Sequence, residues 1–320
     1  MNKYKSSIFF LKIFLIIFFN LNFIIKRTKS NNLKNETKVC LCTIVKNENL
    51  YIREFIEHYQ KIGYDNIFIY DNNDKNGEKL DEVIKDYITN GFVKIINYRE
   101  RDKNSRPQFE AYKDCYERNN KIYDWLSFFD VDELLEINEK YKKIQNFFGD
   151  QIFKNCQNIK INWLWFEDEN NLHYENKSLQ ERIKKFSFDN PVNQHIKSTV
   201  KGNLPINFWN KTLNPHCSVL NFTACGSSGK LVESTSPFVS PPDFANARLK
   251  HYSIKSFEEY CLKVKKGKAS CPKNLSRTII FQKYIKLYDE SKHNTEKLKI
   301  LYKIFNDSIY NLSLNTNINI

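Results

Sequence analysis

Two aspartates close an aromatic run near the middle of the chain, Phe128-Phe129-Asp130-Val131-Asp132-Glu133. If this run is a β-strand, its two-residue period turns Asp130 and Asp132 to one side while Val131 packs on the other. Two carboxylates so close repel each other unless a counter-ion lies between them. Mg²⁺ and Mn²⁺ prefer oxygen ligands and also bind the phosphates of a substrate. The pair therefore predicts a divalent-cation site that takes a diphosphate, and an exposed acidic loop is the alternative.

Polar clusters also follow three other predicted strands: Lys46-Asn47-Glu48, Asp71-Asn72-Asn73-Asp74 and Arg99-Glu100-Arg101. Ligands of doubly wound sheets bind at the carboxyl ends of the strands. Lys46, Asn47, Glu48 and Asp71 are therefore candidates to contact a bound ligand. As alternatives, Asn47 is a plausible helix cap and Asp71 begins an ordinary turn sequence. No glycine-rich fingerprint accompanies them, which excludes a P-loop and a dinucleotide-binding turn.

Alternating strands and helices must position these clusters. Apolar runs predict strands at 39–45, 66–70, 92–98 and 125–131, and amphipathic stretches predict helices at 50–62, 79–89 and 108–118. This alternation is typical of an α/β fold with a mostly parallel, doubly wound sheet. The second half is less regular, with strands expected at 159–166, 195–201 and 249–254 and helices at 256–266 and 275–288, which indicates an α+β half.

The N-terminus predicts a membrane anchor. Residues 8–25 are apolar except for Lys12, Asn20 and Asn22. Eighteen residues at about 1.5 Å each just cross a hydrocarbon core of roughly 30 Å. No small-residue cleavage site follows, so we expect an uncleaved signal-anchor rather than a removed signal peptide. The expected organisation is an anchor at 1–25, a stem at 26–38, a catalytic domain at 39–290 and a tail at 291–320.

The net charge of +13 is concentrated in two segments. Residues 1–38 carry eight Lys or Arg against one Glu, and residues 250–277 carry eight against Glu258 and Glu259. The rest of the chain is neutral. This distribution suits a membrane surface and a local anionic ligand, so we expect no nucleic-acid partner.

The chain has eight cysteines, and none lies in a CxxC zinc pattern. Cys40 and Cys42 fall on a predicted core strand, where small buried hydrophobic residues are expected. Cys217 with Cys225, and Cys261 with Cys271, could close short loops in an oxidising compartment, although spacing does not fix the pairing. Sequons at Asn176, Asn210 and Asn221 are compatible with a glycoprotein, although so much asparagine also produces sequons by chance.

An ordered set of motifs resembles glycosyltransferase family 92 and its family-2-like relatives. The set comprises Val45-Lys46-Asn47-Glu48, Glu54 to Tyr59, Ile69 to Asn73, Trp125 to Glu133, Lys197-Ser198, His251 to Tyr260, and Lys263 with Lys266-Gly267-Lys268. It spans residues 39–268. The resemblance implies a GT-A fold, a UDP-linked or similar nucleotide-sugar donor, and a bound Mn²⁺ or Mg²⁺ ion.

The resemblance also implies roles for single residues. Asp132 would ligate the metal, Asp130 would contact the ribose or the metal through water, and His251 would be the third ligand, with a buried core histidine as the alternative. The residues that would contact the donor nucleotide are Lys46, Asn47, Glu48, Asp71, Lys197, Lys255 and Lys263. A run of lysines at 255–268 would stabilise the departing diphosphate.

Two segments depart from the family pattern. Asp74-Lys75-Asn76 replaces a Ser-x-Asp sequence, and Phe166-Glu167-Asp168-Glu169 replaces Phe-Gly-Ser-Ser-Gly near the expected acceptor site. The second change supplies carboxylates. Glu167 or Asp168, or else Glu169, could deprotonate the acceptor hydroxyl, and an acidic surface loop is the alternative.

The resulting expectation is a metal-dependent, inverting transfer of a hexose such as galactose to a glycan or glycoprotein acceptor. The enzyme would be a single-pass type II membrane protein, in the Golgi or endoplasmic reticulum lumen if the source is eukaryotic. Positive charge on both sides of the anchor leaves its orientation open. The alternatives are a sugar nucleotidyltransferase and a membrane-anchored, catalytically inactive carbohydrate-binding protein.

Overall fold

A computed structural model describes residues 36–100, 106–205, 216, 222–266 and 294–305 of the protein. The predicted anchor at 8–25 and the predicted helix at 275–288 lie outside these residues. No helix in the described ranges is both long and apolar enough to cross a membrane.

The first half alternates strands with helices, as the sequence predicts. The elements are β1 (Val39–Val45), α1 (Ile52–Ile62), β2 (Asn66–Asp71), α2 (Leu80–Val83), α3 (Lys85–Thr89), β3 (Val93–Asn97), α4 (Pro107–Asn119) and β4 (Trp125–Phe128). Helix α1 ends at Gly63, whose φ of 100° is a conformation that glycine adopts without strain. The helix expected at 79–89 is divided into α2 and α3 at Ile84.

The second half contains shorter elements. They are β5 (Glu133–Ile137), α5 (Ile144–Phe148), β6 (Asn158–Trp165), α6 (Leu179–Arg182), β7 (Ile196–Lys201), β8 (Ala224–Cys225), β9 (Leu231–Val232), β10 (Ala247–His251), α7 (Phe257–Lys266) and α8 (Asn294–Phe305). Helix α8 lies in the segment predicted to be a tail. Lys265 on α7 donates a hydrogen bond from Nζ to Ile304 O, which ties α8 to α7.

The strands of the described residues form one mixed sheet. Its main order is β3-β2-β1-β4-β7-β6-β10-β5, and β8 and β9 extend from β6. The β3-β2-β1-β4 half is wholly parallel, whereas β7 is antiparallel to both β4 and β6. Strand β10 is parallel to β6 and antiparallel to β5. The α/β class and the parallel first half agree with the sequence prediction.

Strand β1 is buried on both faces. Val39, Leu41 and Val45 pack into a core with α1, while Cys40 and Cys42 pack into a second core with α4. A continuous apolar strand of this kind is typical of a parallel sheet covered by helices on both sides. Burial on both faces fixes β1 in the sheet and thereby places residues 46–48 at its carboxyl edge.

Two disulfides correct the predicted state of the cysteines. Cys42 bonds Cys115 on α4, so the expectation that Cys42 is simply a small buried thiol is wrong. Cys225 bonds Cys156 rather than Cys217. Both partners lie about 70 residues away, and sequence spacing alone does not identify them. Cys40 is a free buried thiol, as expected.

Candidate active site at the β4–β5 turn

Asp130 and Asp132 lie in a turn between β4 and β5. The predicted strand at 125–131 ends at Phe128, so the alternation argument is wrong, although the carboxylates do reach the sheet edge. Glu133 N donates to Asp130 O at 3.0 Å, and Glu133 Oε2 accepts from Asp130 N at 2.9 Å. These reciprocal bonds hold the turn that presents both aspartates.

Asp130 is held by three donors. Lys197 Nζ on β7 lies 2.7 Å from Asp130 Oδ2, while Gln108 Nε2 and Tyr112 OH on α4 donate to Oδ1 at 2.8 and 3.0 Å. Burial raises the pKa of Asp130, but the Lys197 ammonium outweighs it and the net pKa is lowered. Asp130 is therefore a carboxylate with both oxygens already engaged.

Lys197 and Glu133 are both fully buried beneath this turn. Lys197 Nζ lies 3.5 Å from Glu133 Oε2, farther than from Asp130. Burial lowers the pKa of Lys197, yet Asp130 raises it further, so the net shift is upward and Lys197 stays charged. Burial raises the pKa of Glu133 well above its ordinary range. Lys197⁺ is thus paired with Asp130⁻, and burial disfavours the charged form of Glu133 beside them.

Asp132 faces three basic side chains. Its Oδ2 accepts from Lys263 Nζ at 2.6 Å and lies 3.8 Å from Lys255 Nζ, while its Oδ1 lies 3.7 Å from His251 Nε2. Burial raises the pKa of Asp132, but the Lys263 and Lys255 ammonium groups hold it well below its usual range. Asp132 is therefore an anion whose Oδ1 faces His251.

His251 enters the site from β10, where it pairs with Glu133 of β5. Its ring lies against Trp163 and Trp165, with centroids 4.1 and 5.2 Å away. Burial lowers the pKa of His251 to about 3, so the imidazole is neutral at pH 7. A neutral imidazole is the form that binds a metal ion.

The donor set fits a divalent cation in part. A carboxylate oxygen and an imidazole nitrogen 3.7 Å apart are close to the separation that two ligands of one ion adopt, given ligand bonds of about 2.1 Å. Within the described ranges, no group of three or more His, Cys, Asp or Glu side chains is arranged around a metal position. Asp130 joins only through water or after Lys197 moves. Diphosphate oxygens and water would complete the ion's coordination, as is usual for Mg²⁺.

A groove of about 490 Å³ runs beside Asp132. Its lining includes the predicted donor residues Lys46, Asn47, Glu48, Lys255 and Lys263. Lys46 pairs with Asp74 at 2.7 Å, and Lys266 of α7 pairs with Glu48 across the groove. Burial lowers the pKa of Lys255 despite the proximity of Asp132. The structure thus brings the strand-one cluster and the late lysines together, as an anionic ligand requires.

Asp71 ends β2, where the sequence places it. Its Oδ1 accepts from Asn73 N and Nδ2, and its Oδ2 accepts from Arg99 Nε at 2.8 Å. Arg99 also donates to the carbonyls of Asp74 and Glu78 and so fixes the loop after β2. The sequence did not predict this role of Arg99. It identified a polar cluster after β3 but not the groups that Arg99 binds. Gln108 and Tyr112 were missed because a helix prediction does not tell which element the helix faces.

The acidic loop after β6 begins beside His251. Phe166 N donates to His251 O at 3.0 Å, which places the start of the loop next to the site. The Glu167 carboxylate pairs with Lys185 at 2.5 Å, and Asp168 Oδ1 accepts from Asn170 N at 3.3 Å. Glu169 Oε1 accepts from the backbone N–H groups of Lys184 and Lys185, which fixes this loop. The assignment of a catalytic base remains a prediction.

Comparisons with known proteins identify related sequences. The family model described as Glycosyltransferase family 92 matches residues 35–212. A family 92 protein of Ricinus communis is 28% identical over 100 residues, covering 31% of this chain and 17% of the relative. One of Arabidopsis thaliana is 31% identical over 109 residues, covering 34% and 18%. The aligned segments thus span less than a fifth of these relatives.

Two solved structures align with this chain at low similarity. Staphylococcus aureus TarS 1-349 in complex with UDP is 11% identical with a TM-score of 0.39, covering 81% of this chain and 73% of that one. A mannosyltransferase of Pyrobaculum calidifontis, in complex with GDP-Man and Mn²⁺, is 8% identical with a TM-score of 0.37, covering 87% and 73%.

Proposed function

Because the chain belongs to glycosyltransferase family 92, we propose that it transfers a hexose from a nucleotide-diphosphate sugar to a glycan acceptor, on a fold of GT-A type. The donor is UDP-linked, galactose is the first sugar to test, and the configuration at C1 inverts. One observation carries this proposal: Asp132, in the turn at the carboxyl edge of β4, accepts a hydrogen bond from Lys263 of the groove lining and faces the neutral His251.

The groove supplies the charge that a diphosphate leaving group needs. Lys46, Lys255, Lys263 and Lys266 line it, and Lys46, Lys263 and Lys266 pair with protein carboxylates. A diphosphate entering the groove offers these ammonium groups new partners. Negative charge grows on the diphosphate as the sugar bond breaks, so the lysines stabilise the transition state more than the ground state.

Asp132 Oδ1 and His251 Nε2 are the groups that would hold Mn²⁺ or Mg²⁺. When bound, such an ion neutralises charge on the departing diphosphate. Asp130 keeps its role in orientation, because Lys197, Gln108 and Tyr112 hold its carboxylate in one position. From that position it accepts a hydrogen bond from the ribose or from a water.

The transfer step requires a base on the acceptor side. Glu167 or Asp168 takes the proton from the acceptor hydroxyl, whose oxygen then forms the new bond to C1 of the sugar. The bond between C1 and the diphosphate oxygen breaks at the same time, and its electron pair leaves with the diphosphate. Attack from the opposite side inverts C1. The position of the acidic loop beside His251 supports this assignment.

The compartment we propose is oxidising. Two disulfides, Cys42–Cys115 and Cys156–Cys225, favour a lumenal or extracellular domain. Together with the apolar segment at 8–25 they support a single-pass type II protein, in the Golgi or endoplasmic reticulum lumen if the source is eukaryotic. The full chain should stay with membranes in alkaline carbonate. Release into the supernatant, or a cleaved N-terminus, would contradict the anchor.

Donor turnover by the purified full chain tests the activity. UDP-galactose, UDP-glucose, UDP-N-acetylglucosamine and GDP-mannose are each supplied with Mn²⁺, and free nucleotide diphosphate is measured. We expect release from at least one UDP-hexose that stops with EDTA and returns with added Mn²⁺. Nucleotide binding without turnover of any donor would favour an inactive carbohydrate-binding protein instead.

A further inference from the structure

A row of aromatic rings leads away from His251 toward solvent. We call Trp163, Trp165, His195 and Phe238 the aromatic row. Trp163 and Trp165 lie two residues apart on β6 and so share one face of the strand, where both contact His251. The His195 ring stacks on Trp163 at 4.9 Å with a 13° interplanar angle, and Phe238 packs edge-on against His195 at 4.7 Å. The row begins at the aspartate pair and ends at a half-exposed phenylalanine.

Two buried polar atoms in this region have no hydrogen-bond partner among the residues that the structure describes. Trp163 is 92% buried, yet its Nε1 makes no hydrogen bond within the described residues. His251 Nδ1 is in the same condition. An unpaired buried donor is unfavourable, so such an atom calls for a partner, such as a water or a bound ligand. The row therefore combines apolar ring faces with unused hydrogen-bonding capacity.

The segments that carry the row are fixed by buried polar side chains of β6. Asn162 Nδ2 donates to the carbonyls of Asn193, Gln194 and Val239, which flank His195 and Phe238. Lys160 is fully buried and donates from Nζ to the carbonyls of Glu233, Ser234 and Ser236. His195 and Phe238 also pair through their backbones as an antiparallel bridge. The row is thus a preorganised surface on rigid supports.

We propose that the aromatic row binds a hexose unit of the acceptor glycan, an inference that rests on the proposed function. One face of a pyranose ring presents C–H groups that pack on aromatic rings, while its hydroxyls need hydrogen-bonding partners at the edge. Trp163 Nε1 supplies a donor. His195 Nδ1 donates to Val192 O at 3.0 Å, which leaves Nε2 as an acceptor in the neutral ring. A lipid chain would use the rings but not these polar atoms.

The geometry also places the acceptor correctly for transfer. Trp163 and Trp165 touch His251, which lies 3.7 Å from Asp132. The acidic loop begins at Phe166, directly after Trp165. A sugar on the row would therefore present a hydroxyl between the donor site and the proposed base.

Phe238→Ala in the full chain tests this binding site, with Phe188→Ala as the matched control. Phe238 is 45% exposed and Phe188 49%, so both substitutions should leave the fold intact. Phe188 contacts Phe186 and Phe244 rather than the row. Saturation-transfer NMR with lactose, cellobiose, maltose and chitobiose, in the presence of UDP and Mg²⁺, reports direct contact with sugar C–H groups.

We expect at least one disaccharide to receive saturation from the wild type and to bind Phe238→Ala about three- to tenfold more weakly, the range for losing one aromatic contact. Phe238→Tyr should restore binding, and Phe188→Ala should match the wild type. Release of UDP from the donor without acceptor should be the same in Phe188→Ala as in the wild type. If the wild type releases no UDP from any donor, the proposed function itself is refuted.

Two results would overturn the proposal. One is that every disaccharide tested binds the wild type and Phe238→Ala equally well, or binds neither. The other is that Phe238→Ala, unlike Phe188→Ala, weakens saturation transfer to a short-chain phosphatidylcholine while the disaccharides are unaffected, which would make the row a lipid contact.

Discussion

The buried charges under the β4–β5 turn lead to a sharp prediction about Lys197 and Glu133. Lys197 is fully buried, with Nζ 2.7 Å from Asp130 and 3.5 Å from Glu133. Removing one partner of a buried ion pair costs about 3–5 kcal/mol, because the other charge is left without compensation. Lys197→Met should therefore lower the free energy of unfolding by about that amount.

Glu133→Gln should behave differently, because burial raises the pKa of Glu133 and so disfavours its charged form. Glutamine keeps an oxygen to accept from Asp130 N, so the cost should be about 1 kcal/mol. Urea unfolding at pH 7, with the exposed Lys154→Met as control, measures both effects. A Glu133→Gln variant as unstable as Lys197→Met would show that Glu133 carries the charge and would refute this reasoning.

Three further predictions concern the metal, pH and oxidation. His251→Ala should raise the Mn²⁺ concentration needed for half-maximal turnover, whereas an unchanged Mn²⁺ curve with a lowered melting temperature would make His251 structural. Burial lowers the pKa of His58 to about 4 from 6.5. As the pH falls, His58 of the unfolded chain therefore takes up a proton before that of the folded chain, and between these two pKa values each unit of lower pH reduces the free energy of unfolding by about 1.4 kcal/mol. His58→Gln should remove this dependence of the free energy of unfolding on pH, measured from urea unfolding curves at several pH values. An unchanged pH dependence would count against His58 as its source. Cys156→Ser should lower the free energy of unfolding by about 2–5 kcal/mol and abolish the effect of dithiothreitol on this bridge. A variant with the melting temperature of the wild type would contradict the pairing.

The first half of the fold could be predicted because its signals are local. Helix α1 shows its apolar stripe and its terminal Gly63 directly in the sequence, and β1 to β4 are short apolar runs between turns. Strand β5 was missed because the aromatic run before it reads as one continuous strand. The chain instead turns at Asp130, where the bonds to Glu133 replace the ladder.

The candidate site could be predicted only where family resemblance supplied distant partners. His251 and Lys263 both follow Asp132 by more than 110 residues in the sequence. No local pattern brings them to Asp132. Arg99 lay outside the resemblance, so its bond to Asp71 appeared only in the structure. The disulfide partners of Cys42 and Cys225 were missed for the same reason.

Nucleotide binding by Asp132→Asn tests the central claim most directly. Calorimetric titration of the full chain with UDP, with and without Mn²⁺, separates the metal-dependent part of the affinity from the rest. The wild type should bind UDP more tightly in Mn²⁺. Asp132→Asn should lose that gain and its turnover while remaining folded, because the substitution keeps the shape of the side chain but removes a ligand charge at the sheet edge. An Asp132→Asn variant that keeps both the Mn²⁺-dependent affinity and full turnover at limiting Mn²⁺ would contradict the account.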